Sequence, residues 1–386
     1  MPSSFTSRPA FAPALVLSAL LALPGLPAPA AQGRTAYLVR DLAPGEEALT
    51  GGEVSPVGTV GNRVLLLANE PASGTELWVS DGTPLGTQLL VDACPGPCSS
   101  AVRILGSRGN QTFWVATPSA NQGSDAHRRR LWVTDGTRAG THPLTEEGTL
   151  PDENTVPEDS PLFALAGESF FFTGCQDSSC GLWHTDGTAA GTEPVLQLSS
   201  SQGTPHALTA VDGRVFFIAG RDLWVSDGTG PGTVRLKTFA RFSPGGLTAA
   251  GDRLFFAADD GQGTEAWTSD GTAAGTRALT QLAPAEPFPT YAEDFDSWLF
   301  RPAGDLVYFV VNDVLHEDEL WRSDGTPAGT FAVTDFGFHR PFGEGRYASS
   351  FGAAGARFLF EASDGLSPAR LWVSTGARSS TRPLAD

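Results

Sequence analysis

Seven times along this chain a Leu-Trp or Ala-Trp pair runs into a Gly/Thr-rich turn of constant length, and that repetition limits the fold more than any other feature. The copies are "ELWVSDGTPLGTQLL" at Trp78, "RLWVTDGTRAGTHPL" at Trp132, "GLWHTDGTAAGTEPV" at Trp183, "DLWVSDGTGPGTVRL" at Trp224, "EAWTSDGTAAGTRAL" at Trp267, "ELWRSDGTPAGTFAV" at Trp321 and a degraded "RLWVSTGARSSTRPL" at Trp372. The tryptophans stand 54, 51, 41, 43, 54 and 51 residues apart, a spacing that marks a repeat architecture. No copy carries a helical period. Each turn with its flanking residues instead reads as the bend between two short strands.

A second apolar stretch precedes each tryptophan, as in "GNRVLLLANE", "GESFFFTG", "DGRVFFIAG", "GDRLFFAADD" and "GARFLFEASD". Runs of Phe and Val bounded by Gly and Asp are strands, and a weaker segment such as "GGLTAA" lies before each. Every unit thus has four strands: A (weak), B (Phe-rich), C (Leu-Trp) and D after the Gly-Thr. Four short antiparallel strands repeated every 40 to 54 residues predict an all-β fold, a seven-bladed β-propeller of four-stranded antiparallel blades. Residues alternate sides along strand C, so Leu77 and Val79 face one neighbouring blade while Trp78 faces the other. The tryptophans are read as packing between sheets.

The pattern resembles the ELWxxDGT repeat, also called hyalin-like, of secreted bacterial proteins, and its B-C-D order resembles the TolB-like propeller blade. The resemblance covers the chain from Thr35 onward. It implies a fold and no reaction, because fold does not give function.

The first 31 residues read as a signal peptide, with Arg8 ahead of an apolar stretch from Phe11 to Leu23 and A-x-A spacing at Ala28 and Ala30. Pro13 and Pro24 interrupt the stretch, which is shorter than the roughly 20 residues needed to span a bilayer. Residues 32–386 then form one propeller, expected to be a monomer outside the cell or in the periplasm or outer envelope, with no transmembrane segment. Four cysteines form two local pairs, Cys94 with Cys98 and Cys175 with Cys180, which in an exported chain argue for disulfides. A four-thiolate zinc site is the alternative, but it usually shows two-residue spacings. The net charge of −18 opposes binding to nucleic acid.

Asp81, Asp135, Asp186, Asp227, Asp270 and Asp324 recur in the C–D turn, and Thr375 replaces them in the last copy. Calcium would need about six to eight oxygens, whereas each turn offers one carboxylate. The expected role is structural: the carboxylate accepts N–H bonds within the turn, and no cofactor is expected. There is no H-E-x-x-H, G-x-S-x-G or Walker motif, and the six histidines have no metal-ligand spacing. A sialidase-like enzyme would need an arginine cluster and a tyrosine nucleophile.

Length varies only in the B–C and D–A loops, which share one face of the disc, and such confinement marks a binding face. Two D–A loops carry Phe288, Tyr291, Phe295, Phe338, His339, Phe342 and Tyr347 among Glu293, Asp294 and Asp296. Rings beside carboxylates suit a glycan or a cationic protein surface. The expectation is therefore a non-enzymatic exported propeller that binds a protein or glycan. The alternatives are an extracellular polysaccharide hydrolase or lyase and a structural matrix protein. An eighth D-like stretch, "TAYLVRDLAPG" at residues 35–45, is expected to close the ring by docking residues 35–42 on the last blade.

Overall fold

The computed structural model describes residues 54–118, 129–151, 161–176, 179–241, 243–282, 300–311, 319–335, 352–363 and 369–384. These residues build seven four-stranded antiparallel sheets, a seven-bladed β-propeller. The blades span residues 55–91, 100–143, 163–197, 206–238, 245–278, 301–332 and 352–383, each a meander in which A pairs with B, B with C and C with D. A strands of successive blades lie side by side. Residues 35–42, and with them the expected closure, lie outside the described residues.

Blade 4 shows why these sequences stack. Its B strand, Arg214–Ala219, is buried from Val215 to Ala219 because both faces of the sheet are covered. Val215 and Phe217, with Trp224 of strand C, pack on Phe171 and Leu182 of blade 3. Phe216, Leu223 and Val225 pack instead on Leu254, Phe256 and Trp267 of blade 5. Strand alternation thus serves two interfaces at once. Among the described residues, six apolar clusters join blade 1 to 2 and so on through 6 to 7, and each includes the tryptophan of the later blade. Rings meet across these seams, with Phe113 on Phe170 at 4.4 Å and Tyr308 on Phe358 at 4.2 Å.

The C–D turn is a small hydrogen-bonded device. In blade 4 the Asp227 carboxylate accepts both the N–H (2.9 Å) and the hydroxyl (2.8 Å) of Thr229, whose Oγ1 in turn accepts the N–H of Gly232. Gly228 adopts φ of 93°, where a β-carbon would be strained, and donates its N–H to Ser226 Oγ. Ser226 Oγ also lies 2.7 Å from Thr233 Oγ1, which donates to the Thr229 carbonyl. The hydroxyl pair recurs in every blade, down to Ser374 and Thr381 in the degraded copy. The Thr229 hydroxyl bond and N–H hold the Asp227 carboxyl below its ordinary pKa, as their counterparts do in the other five Asp turns. Arginines of B strands then reach the next blade's turn: Arg63 donates to the Gly136 carbonyl (2.5 Å) and Arg214 to that of Asp270 (2.8 Å).

Candidate functional site

Because A–B and C–D turns share one end of an antiparallel blade, the B–C and D–A connections share the other. That loop face holds the described residues that could position a ligand-binding surface. The ten candidate ligand residues Phe288, Tyr291, Glu293, Asp294, Phe295, Asp296, Phe338, His339, Phe342 and Tyr347 lie outside the described residues. The roots of their loops are described, and they contain a device that the sequence reading did not single out.

Two positions before the tryptophan, blades 1, 5 and 6 carry Glu76, Glu265 and Glu319, with exposures of 0%, 6% and 5%. Their carboxylates hold the start of the D–A loop. Glu265 accepts the hydroxyl of Thr280 and, at 2.8 Å, the N–H of Leu282. Glu319 accepts the hydroxyl of Thr334 in the same way. Each threonine also accepts an N–H of strand C through its own oxygen: Thr280 from Ala266 at 3.0 Å, Thr334 from Leu320 at 2.8 Å.

These threonines end the D strand. In blades 2, 5 and 6 strand D has two residues (His142–Pro143, Arg277–Ala278, Phe331–Ala332), followed by Leu144–Thr145, Leu279–Thr280 and Val333–Thr334. The hydroxyl satisfies the buried N–H that a continuing strand would have met with a carbonyl, so the chain can leave the sheet. In blades 1, 3 and 4 strand D runs for four or five residues and keeps the ladder. A signal exists in sequence: "HPLT", "RALT" and "FAVT" occur only in the units with the three longest D–A loops.

Blade 1 uses its glutamate differently. Glu76 accepts the N–H of Ala93 (3.2 Å) through Oε2, and the N–H of Cys94 (3.3 Å) and hydroxyl of Ser100 (2.8 Å) through Oε1. These donors flank the Cys94–Cys98 disulfide, so one buried carboxylate closes the base of the stapled loop. Thr75 donates its N–H to Ser99 Oγ, and a β-carbon on Gly74 would come within 2.2 Å of the Cys98 carbonyl. Burial pushes the Glu76 pKa up to about 7 against these hydrogen bonds, with a smaller upward push from Asp92.

The second disulfide, Cys175–Cys180, joins directly opposed residues at the tip of the blade 3 B–C hairpin. Both bonds sit on the loop face and fit an oxidising compartment. Arg129 donates to the Pro151 carbonyl at 2.9 Å, tying the two loops of blade 2 together. On the innermost strand of blade 4, His206 donates through Nδ1 to the Thr204 carbonyl (3.0 Å), and burial holds its imidazole below the ordinary range, hence neutral at pH 7. Among the described residues no three His, Cys, Asp or Glu side chains are placed to hold a metal ion. No described helix is long and apolar enough to cross a membrane.

Neither a family model nor a curated protein matches the chain. Among solved structures, puromycin hydrolase is 15% identical over 87% of this chain and 55% of its own, with a TM-score of 0.36. The β-propeller domain of the Trilobed protease from Pyrococcus furiosus is 10% identical over 86% of this chain and 97% of its own (TM-score 0.35). TolB from Acinetobacter baumannii is 15% identical over 69% of this chain and 63% of its own (TM-score 0.31). The chain spans little more than half the length of the hydrolase it matches. Likenesses this distant carry no argument about activity, and the propeller stands on its own seven sheets.

Proposed function

We propose that this is an exported, non-enzymatic binding propeller that engages a protein or glycan through its loop face. The observation that carries the reading is the contrast between the two ends of the blades. At the turn end, one hydrogen-bonded hydroxyl pair spanning a turn of fixed length recurs in every blade, so this end varies little from one blade to the next. At the loop end, disulfides and buried glutamates anchor segments that differ in length and sequence from blade to blade. Anchoring a variable loop lowers the conformational entropy lost when it binds. Export accords with the signal-like N-terminus and the two disulfides.

The test compares the mature protein with a variant in which residues 283–298 and 336–347 are replaced by short Gly/Ser linkers. A glycan array and a pull-down from culture medium are expected to return a ligand for the first and none for the second, with both proteins folded by circular dichroism. Equal capture by both proteins, or turnover of the captured polymer by the intact one, would refute the reading.

A further inference from the structure

The seam between blades 7 and 1 differs from the rest, because none of the described apolar clusters spans it. Residues that other seams bury stay open there. Val64 of blade 1 is 39% exposed where its counterpart Val215 is buried, and Leu371 and Leu384 of blade 7 are 44% and 48% exposed where Leu223 and Leu279 are buried. Trp78 goes the other way. It lies on the same face of blade 1 as Val64, yet at 1% exposure it is the most buried of the seven repeat tryptophans. Its own sheet does not account for this: Trp224 holds the same place in blade 4, has blade 3 packed on it, and is still partly exposed. A cover narrower than a blade fits a face sealed at Trp78 and open at Val64.

The residues just before blade 1 carry the chemistry for such a cover. At the 1–2 and 4–5 seams the earlier blade presents an arginine and, two positions on, an apolar residue on the same side of its B strand. Arg63 donates to the Gly136 carbonyl while Leu65 packs on blade 2, and Arg214 donates to the Asp270 carbonyl while Phe216 packs on blade 5. The stretch "VRDLAPGEE", residues 39–47, repeats that spacing in Arg40 and Leu42, with the acid Asp41 at the alternate position. Its reach suffices. Strand C lies two strand spacings, about 10 Å, from strand A, and the six residues 48–53 can span up to about 20 Å before blade 1 begins. The edge of blade 7 suits the stretch less, because strand D there is Arg382–Pro383 and a proline offers no N–H to a further strand.

We propose that residues 39–47 cap blade 1 in the manner of a preceding blade's B strand, with Leu42 on Trp78 and Arg40 donating to a carbonyl of the Asp81–Gly82 turn. The cap takes the place where blade 7 would pack, which leaves Leu371 and Leu384 uncovered. The stretch thus serves the face of blade 1 rather than the edge of blade 7. The cap does not depend on what the loop face binds.

Photo-cross-linking of the mature protein, with p-benzoylphenylalanine in place of Leu42, tests it by peptide mapping. The expected product joins position 42 to residues 74–91 of the same chain, strands C and D of blade 1 with their turn. A product on residues 352–383 of blade 7, a product between two chains, or no product would overturn the cap. Hydroxyl-radical footprinting read by mass spectrometry gives a second measurement. Trp78 should be protected in the unaltered protein and lose that protection in Leu42→Asp, while Trp267 keeps its own. Leu371→Asp, on blade 7, should leave Trp78 protected. Unchanged protection of Trp78 in Leu42→Asp, or its loss in Leu371→Asp, would count against the cap.

Discussion

Replacing Thr280 by Val keeps the side chain's shape and removes only its hydroxyl, so it isolates the joint between strand C and the D–A loop of blade 5. The threonine is 5% exposed and its backbone donor partner Ala266 is fully buried, so water cannot replace what is lost. One consequence is an unsatisfied buried N–H, worth about 1–3 kcal/mol. The other is the loss of a charge-assisted bond to Glu265, worth about 1.5–3 kcal/mol. Thr280→Val should therefore destabilise the protein by about 2.5–6 kcal/mol. Blade 2 supplies a control within the same molecule. Thr145 accepts the Leu131 N–H at 3.0 Å, but the position of Glu265 is taken there by Arg130, which pairs with Glu147 at 3.4 Å. Thr145→Val should cost only the first contribution, about 1–3 kcal/mol. Urea unfolding followed by tryptophan fluorescence measures both, read as a change in midpoint at constant slope. Equal losses for the two substitutions would refute the claim that the carboxylate and hydroxyl act together. A coupling energy near zero in the double variant with Glu265→Ala would refute it independently.

Ala207→Gly should stabilise the protein by about 0.5–1 kcal/mol, because Ala207 sits at φ of 54° where the equivalent residue of blade 5 is Gly246 at 64°; a drop in thermal midpoint would count against strain at that site. Stability should also follow two opposite pH limbs. The six turn aspartates have folded pKa values below the ordinary 3.8, so their contribution is present above that value and is lost as pH falls through it. Glu76, raised from 4.5 to about 7, works the other way: stability declines between those two values, by at most about 3 kcal/mol, and Glu76→Gln removes that limb. Urea midpoints measured from pH 3 to 9 check both signs, and a single monotonic rise would contradict the second.

The architecture was readable because its signals are local. A Gly at positive φ, an aspartate two residues before the threonine it binds, and a Trp flanked by residues of opposite facing all lie within a few positions of one another. The loop roots were less readable because their partners are far apart in sequence: Glu265 and Thr280 are separated by 15 residues, Glu76 and Ser100 by 24. A glutamate before Leu-Trp looks like a solvated strand residue until the sheet is closed around it. The bend at Ala207 was illegible for a different reason. Alanine at that position carries no turn chemistry, and only its alignment with Gly246 betrays the backbone it must adopt. The proposed ligand residues stand out by composition alone, and the structure describes the stems of their loops rather than the rings themselves.

Each described sheet is made from one uninterrupted stretch of chain, with its four strands in sequence order. A gene encoding such a protein can therefore gain a whole blade by a single in-frame duplication of some 40 to 54 codons, without unpairing any strand already present. The degraded seventh copy shows the tolerance this allows: Thr375 has replaced the aspartate, yet Ser374 and Thr381 keep their hydroxyl contact and the turn keeps its length. Selection can thus rewrite one blade's loops, or let one turn decay, while the strand pairing within the other blades is left intact.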